Sequence, residues 1–165
     1  MKSIRTLAII LAVIAVNVST STATTTPGNV NDGKYSISYV STTGQMIVQP
    51  DGQPVGFFEI TSASGILRTS AVFPPNAIDT TLTPNEIQWA ALPSNAFITD
   101  HSLGFVASSG LSLDFLLNDL VLLAGGGFGH PTFDADLVYT IPEPGTALIC
   151  VIAVVCALFH RQRHR

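Results

Sequence analysis

From Tyr35 to Thr140 the chain is cut, about every eight to twelve residues, by clusters of Gly, Pro, Asn, Asp and Ser, and the apolar stretches between the cuts are short. That punctuation predicts strands rather than long helices. Tyr35, Ile37 and Tyr39 alternate with Ser36 and Ser38, a period of two expected of a half-buried strand. Ser41-Thr42-Thr43-Gly44 reads as a turn and residues 46–49 as the return strand. Pro50-Asp51-Gly52-Gln53-Pro54 supplies strong turn chemistry, and residues 55–61, with Phe57 and Phe58, read as a third strand. Residues 82–89 are open between a helical turn, with Thr83 as cap and Pro84 at its first position, and a strand carrying Ile87 and Trp89. Phe97-Ile98, residues 103–106 and residues 137–140 read as further short strands, while across residues 111–123 a helix competes with strands. About seven to nine strands imply an all-β fold, a single antiparallel β-sandwich over residues 24–140, with residues 24–31 a disordered lead or loose edge.

The two ends have a different character. Lys2 and Arg5 form a positive start, residues 7–16 are unbroken apolar, and Ser21-Thr22-Ala23 offers small residues where signal peptidase inspects the chain. Residues 1–23 are therefore expected to be a secretory signal peptide cut after Ala23. At the other end Pro142-Glu143-Pro144 lacks two backbone donors and is biased away from helix, so an extended, protease-accessible segment is expected. Residues 145–159 carry no charge and span roughly 22 Å as a helix, short against a hydrocarbon core of about 30 Å. Arg161, Arg163 and Arg165 in the basic tail, residues 160–165, act as a stop-transfer signal and stay cytoplasmic under the positive-inside rule.

Taken in that order, residues 141–165 resemble the PEP-CTERM sorting signal of exported bacterial proteins, with Pro142, Glu143 and Pro144 in the motif and Ile141 where valine is commoner. The resemblance implies that an exosortase reads the motif and removes the tail. It also implies an inner-membrane intermediate held by residues 145–159, followed by release or attachment at the cell surface or in the extracellular matrix. Signal peptidase and exosortase are thus the expected processing partners. A second likeness is one of pattern: the hairpin at residues 35–49, the aromatic third strand and the late glycine-rich loop resemble extracellular β-domains of sorted surface proteins, some similar to cohesins or carbohydrate-binding modules.

Charge and cysteine usage narrow the body of the chain. Five of the seven Lys and Arg residues lie in the two end segments, leaving only Lys34 and Arg68 against ten acids between residues 24 and 140, a formal charge of about −8. Nucleic acid, whose phosphates require clustered cations, is excluded as a partner. Cys150 and Cys156 both lie in the apolar tail, so the body has no thiol nucleophile, disulfide or cysteine-based zinc site.

No catalytic constellation stands out and no cofactor or metal is expected. Asp134 and Asp136, two apart on the last strand, are expected on one face, yet they lack the further oxygen ligands and the Gly of a calcium loop. His101 and His130 have no second histidine at metal-ligand spacing and read as loop residues. Gly125-Gly126-Gly127-Phe128-Gly129 lacks the Gly-Lys-Ser/Thr ending of a phosphate loop and reads as a mobile hairpin or bulge connection. Serines at 62, 64, 108 and 109 lack a nucleophile elbow. Trp89, Tyr35 and Tyr39 stack on sugars if exposed and fill the core if not. The expected function is that of a non-enzymatic structural or adhesive ectodomain. The alternatives are a carbohydrate-binding module acting in exopolysaccharide and a secreted hydrolase whose site is assembled in space.

Overall fold

The computed structural model describes residues 25–141. Ser21 and Ala23 of the signal-peptide site, the motif Pro142, Glu143 and Pro144, residues 145–159, and Arg161, Arg163 and Arg165 lie outside the described residues. Within them the protein is all-β and sandwich-like, with nine strands in two sheets, a three-residue 3₁₀ turn and one short helix.

The first hairpin pairs β1 (Ser36–Val40) with β2 (Gln45–Gln49), joined by the predicted turn. β6 (His101–Gly104) adds to the free side of β2, and β9 (Asp136–Thr140) to the free side of β1. The second sheet has the order β4 (Asp79–Thr83), β5 (Glu86–Ala90), β3 (Phe57–Ser62), β7 (Leu120–Gly125) and β8 (Thr132–Asp134). Side chains alternate along each strand. Ile37, Tyr39, Met46, Val48 and Leu137 from one sheet, and Phe58, Ile60, Ile87, Trp89 and Leu122 from the other, therefore meet in one buried cluster. Each of these side chains contributes roughly 1.5–3 kcal/mol by leaving water. Buried polar tips find partners: Trp89 Nε1 donates to the Pro74 carbonyl at 3.1 Å and Tyr39 Oη to the Ser108 carbonyl at 2.7 Å.

Several expectations change. β1 and β9 run parallel, Ser36 opposite Asp136 through Val40 opposite Thr140, so the fold is not purely antiparallel. The lead is an ordered edge rather than a loose one. Pro27 bridges Leu137 in parallel, Leu137 N–H donates to the Thr26 carbonyl and Gly28 N–H to the Leu137 carbonyl, and the buried Thr25 donates its hydroxyl to the Leu120 carbonyl at 2.5 Å. Ser36 and Ser38 are buried, not solvent-facing, because the Gln49 side chain folds over them and its carbonyl oxygen accepts from both hydroxyls. Thr83 and Glu86 pair across a tight β4–β5 hairpin, which rules out the helical turn. Phe97 makes a single bridge to Val55 rather than a strand.

The contested residues 111–123 hold both elements in succession. α1 (Leu113–Asp119) starts at Ser112, whose hydroxyl accepts from Phe115 N–H, and Leu116 points into the core. At Leu120 the period switches from helix to strand and β7 begins. Asp119 secures the switch, since its carboxylate accepts from Ser62 Oγ at 2.6 Å and Ser64 N–H at 2.8 Å, and the Ser62 hydroxyl in turn accepts from Gly65 and Ile66 N–H.

Candidate functional site

The outward face of the five-stranded sheet ends in a row set by register: Asp79 opposite Ala90, Ala90 opposite Phe57, Phe57 opposite Gly125, and Gly125 opposite Thr132. The next row inward carries Thr81, Gln88, Glu59, Leu123 and Asp134. Gln88 Nε2 donates to Asp79 Oδ2 at 3.3 Å, making a hydrogen-bonded amide and carboxylate pair beside the Phe57 ring.

The β7–β8 loop closes this end of the sheet. It lies close against the sheet because two glycines remove side chains at its contacts: a Cβ on Gly56 would stand 2.5 Å from the Gly126 carbonyl oxygen, and one on Gly127 2.7 Å from that of Ala91. Gly127 also has φ of +101°, which side chains with a Cβ rarely adopt. Phe128 N–H donates to the Ala91 carbonyl at 3.2 Å and His130 N–H to the Gly127 carbonyl at 3.0 Å. The loop expected to be mobile is thus hydrogen-bonded to the sheet, and it presents Phe128 with 71% of its surface in water. Together Phe128, Ile78, Phe57, Asp79, Gln88, His130 and Thr132 line an open groove of about 440 Å³.

A second depression of about 390 Å³ holds Asp51, Asp100 and the exposed Ile98. Both carboxylates already have partners: Asp51 accepts from Gly33 N–H at 2.7 Å and Asp100 from Gln49 Nε2 at 3.3 Å.

Of the residues singled out in the sequence, His130 and the glycine-rich loop lie at this groove and the others fall elsewhere. Asp134 and Asp136 do not share a face, because Ala135 carries the chain from one sheet to the other and donates its N–H to the Leu122 carbonyl. Asp134 stays exposed at the end of β8. Asp136 is buried, accepting from Thr26 Oγ1 at 2.5 Å and facing Lys34 Nζ at 3.5 Å. Among the described residues no group of three or more His, Cys, Asp or Glu side chains is placed to hold a metal ion. His101 Nε2 lies 2.9 Å from the Val72 carbonyl oxygen, and its ring tilts against Phe97. Trp89, Tyr39 and Tyr35 are core residues, not an exposed platform; Trp89 stacks on Phe58 with ring centres 5.8 Å apart.

Sequence reasoning missed the groove. Phe128 between two glycines was its one local signal, whereas the row joining Asp79, Phe57 and Thr132 exists only in the register of five strands. The fold and groove define an all-β protein with an acidic, aromatic-tipped sheet face. No match to the chain is found among protein-family models, curated proteins or solved structures. Among the described residues no helix is long and apolar enough to cross a membrane, and the segment expected to do so lies outside them.

Proposed function

We propose that the chain is an exported surface or extracellular-matrix protein, sorted through a PEP-CTERM-type tail, with a β-sandwich ectodomain that acts as a structural or adhesive body. The observation that carries this reading is the order of the tail: Pro142-Glu143-Pro144, then the uncharged residues 145–159, then Arg161, Arg163 and Arg165. The charged signal-like start with Ser21 and Ala23 supports the same route. A thiol-free, acidic body with two sheets around one core is consistent with an exported β-sandwich stabilised by burial alone. The processing partners are signal peptidase and an exosortase, and the inner membrane holds the intermediate.

Intact mass of the protein recovered from an exosortase-containing host tests both cuts together. A mass that lacks residues 1–23 and the residues after the motif supports the reading. Glu143→Gln or Pro144→Ala is expected to leave a longer, membrane-retained form; normal trimming of both variants would sink the assignment of the motif. Adhesion through carbohydrate is the second reading, favoured by the exposed Phe128 beside a hydrogen-bonding pair.

A further inference from the structure

We infer that the groove at the end of the five-stranded sheet binds an uncharged polysaccharide, with Phe128 as the stacking surface and the Asp79–Gln88 pair as the hydroxyl reader. This deepens the adhesive reading and rests on it.

Three observations converge on this site. Phe128 is the most exposed large apolar side chain among the described residues, at 71%, and it sits on a backbone fixed by two hydrogen bonds and two glycine contacts. A solvent-facing ring on a held loop loses little freedom when a flat partner covers it, which favours binding. Beside it, Asp79 and Gln88 offer carboxylate and amide oxygens as acceptors and amide N–H groups as donors, and Thr132 adds a hydroxyl. That set matches a sugar ring, which has an apolar C–H face and hydroxyls around its edge that both donate and accept.

Charge selects among occupants. Asp79, Glu59, Glu86 and Asp134 share this sheet face, while Lys34 and Arg68, the two Lys or Arg residues of the described chain, lie in loops outside the sheet and His130 is the basic side chain lining the groove. Carboxylated or sulfated polymers and anionic lipid headgroups are repelled. A second copy docking through the same face would set acid against acid. The exposed apolar area at the groove is also small for a protein partner, since Phe128 and Ile78 are two side chains where a stable interface needs roughly 800 Å² from each side. A neutral glycan chain needs no more than a few stacked and hydrogen-bonded sugars per site.

The test uses the full chain in a mild non-ionic detergent, with affinity electrophoresis through gels containing dextran, hydroxyethylcellulose or a galactomannan, and alginate as the anionic comparison. Retardation by at least one uncharged polymer is expected, with none by alginate. Phe128→Ala is expected to weaken that binding about tenfold or more, the scale of one lost stacked ring. Gln88→Ala is expected to weaken it about threefold or more, and Ile98→Ala, 68% exposed in the other depression, to leave it unchanged. An unaltered thermal midpoint for Phe128→Ala separates lost binding from lost fold. Retention by no uncharged polymer, equal loss from Ile98→Ala, preference for alginate, or a Phe128-dependent dimer in sedimentation would each overturn the inference. A chain trimmed at its tail that binds no glycan overturns only this site, and a chain that binds glycan but is never trimmed overturns only the sorting proposal.

Discussion

At the scale of single residues, Tyr39 shows how much of this molecule depends on polar tips held inside an apolar core. Its ring packs against Tyr139 with centres 5.7 Å apart, its hydroxyl donates to the Ser108 carbonyl, and the same oxygen accepts from Leu111 N–H at 3.1 Å. One side chain thus ties β1 to the segment that leads into α1. Burial raises the Tyr39 phenol above its ordinary 10.0, a shift opposed by the Leu111 N–H and reinforced by Tyr139; burial raises Tyr35 likewise. The fold therefore prefers the neutral phenols. Their contribution is fully present below the unfolded value near 10 and is lost as pH rises through the folded values. Urea denaturation is expected to give a stability unaffected by these two groups through neutral pH and falling above about pH 10. Tyr39→Phe is expected to cost about 1–3 kcal/mol at neutral pH, because Ser108 and Leu111 lose their partner, and to flatten the alkaline fall. An alkaline fall of unchanged size in that variant would assign it to other groups.

Elements with a clear local period could be read from the sequence, and those defined by distant partners could not. β1, β2 and β3 were legible from alternation and from the turns between them, and α1 and β7 were legible as rivals because residues 111–123 satisfy both periods. The β4–β5 hairpin is ambiguous in sequence because Thr83-Pro84-Asn85-Glu86 satisfies the rules for a helix start and for a turn alike, and only strand pairing decides between them. The split of Asp134 from Asp136 was invisible for a related reason: a strand that changes sheet keeps its local pattern. The β7–β8 loop offers a direct check on whether close approach, rather than sequence flexibility, shapes an element. Gly127→Ala places a Cβ 2.7 Å from the Ala91 carbonyl oxygen at a φ of +101°, and is expected to cost about 1–3 kcal/mol in chemical denaturation. The same substitution at Gly129, where no atom lies within 4 Å of the added carbon, retains only the backbone strain and is expected to cost less. Equal losses at the two positions would show that the contact with Ala91 contributes nothing.

For the molecule as a whole, the acidic surface and thiol-free core were evident from composition, while the candidate groove needed five strands in register before its residues could be associated. The same topology also determines how the body responds to a pull. β9, the last strand described, is flanked on both sides by chain from the opposite terminus running in the same direction: β1 on one side and Thr26 to Gly28 on the other. Tension between residues 25 and 141 therefore drags β9 one way and both neighbours the other, loading the bonds on each side in shear and at the same time. Force applied instead at Thr43, in the β1–β2 turn, and at residue 141 grips β1 and β9 from the same end and opens the same pairs one after another. Optical-tweezer rupture is expected to need about twofold or more force in the first geometry, and equal forces would show that the parallel pair does not bear the load. A pull between the two ends of the body would thus be met by shear across both neighbours of its last strand rather than by peeling.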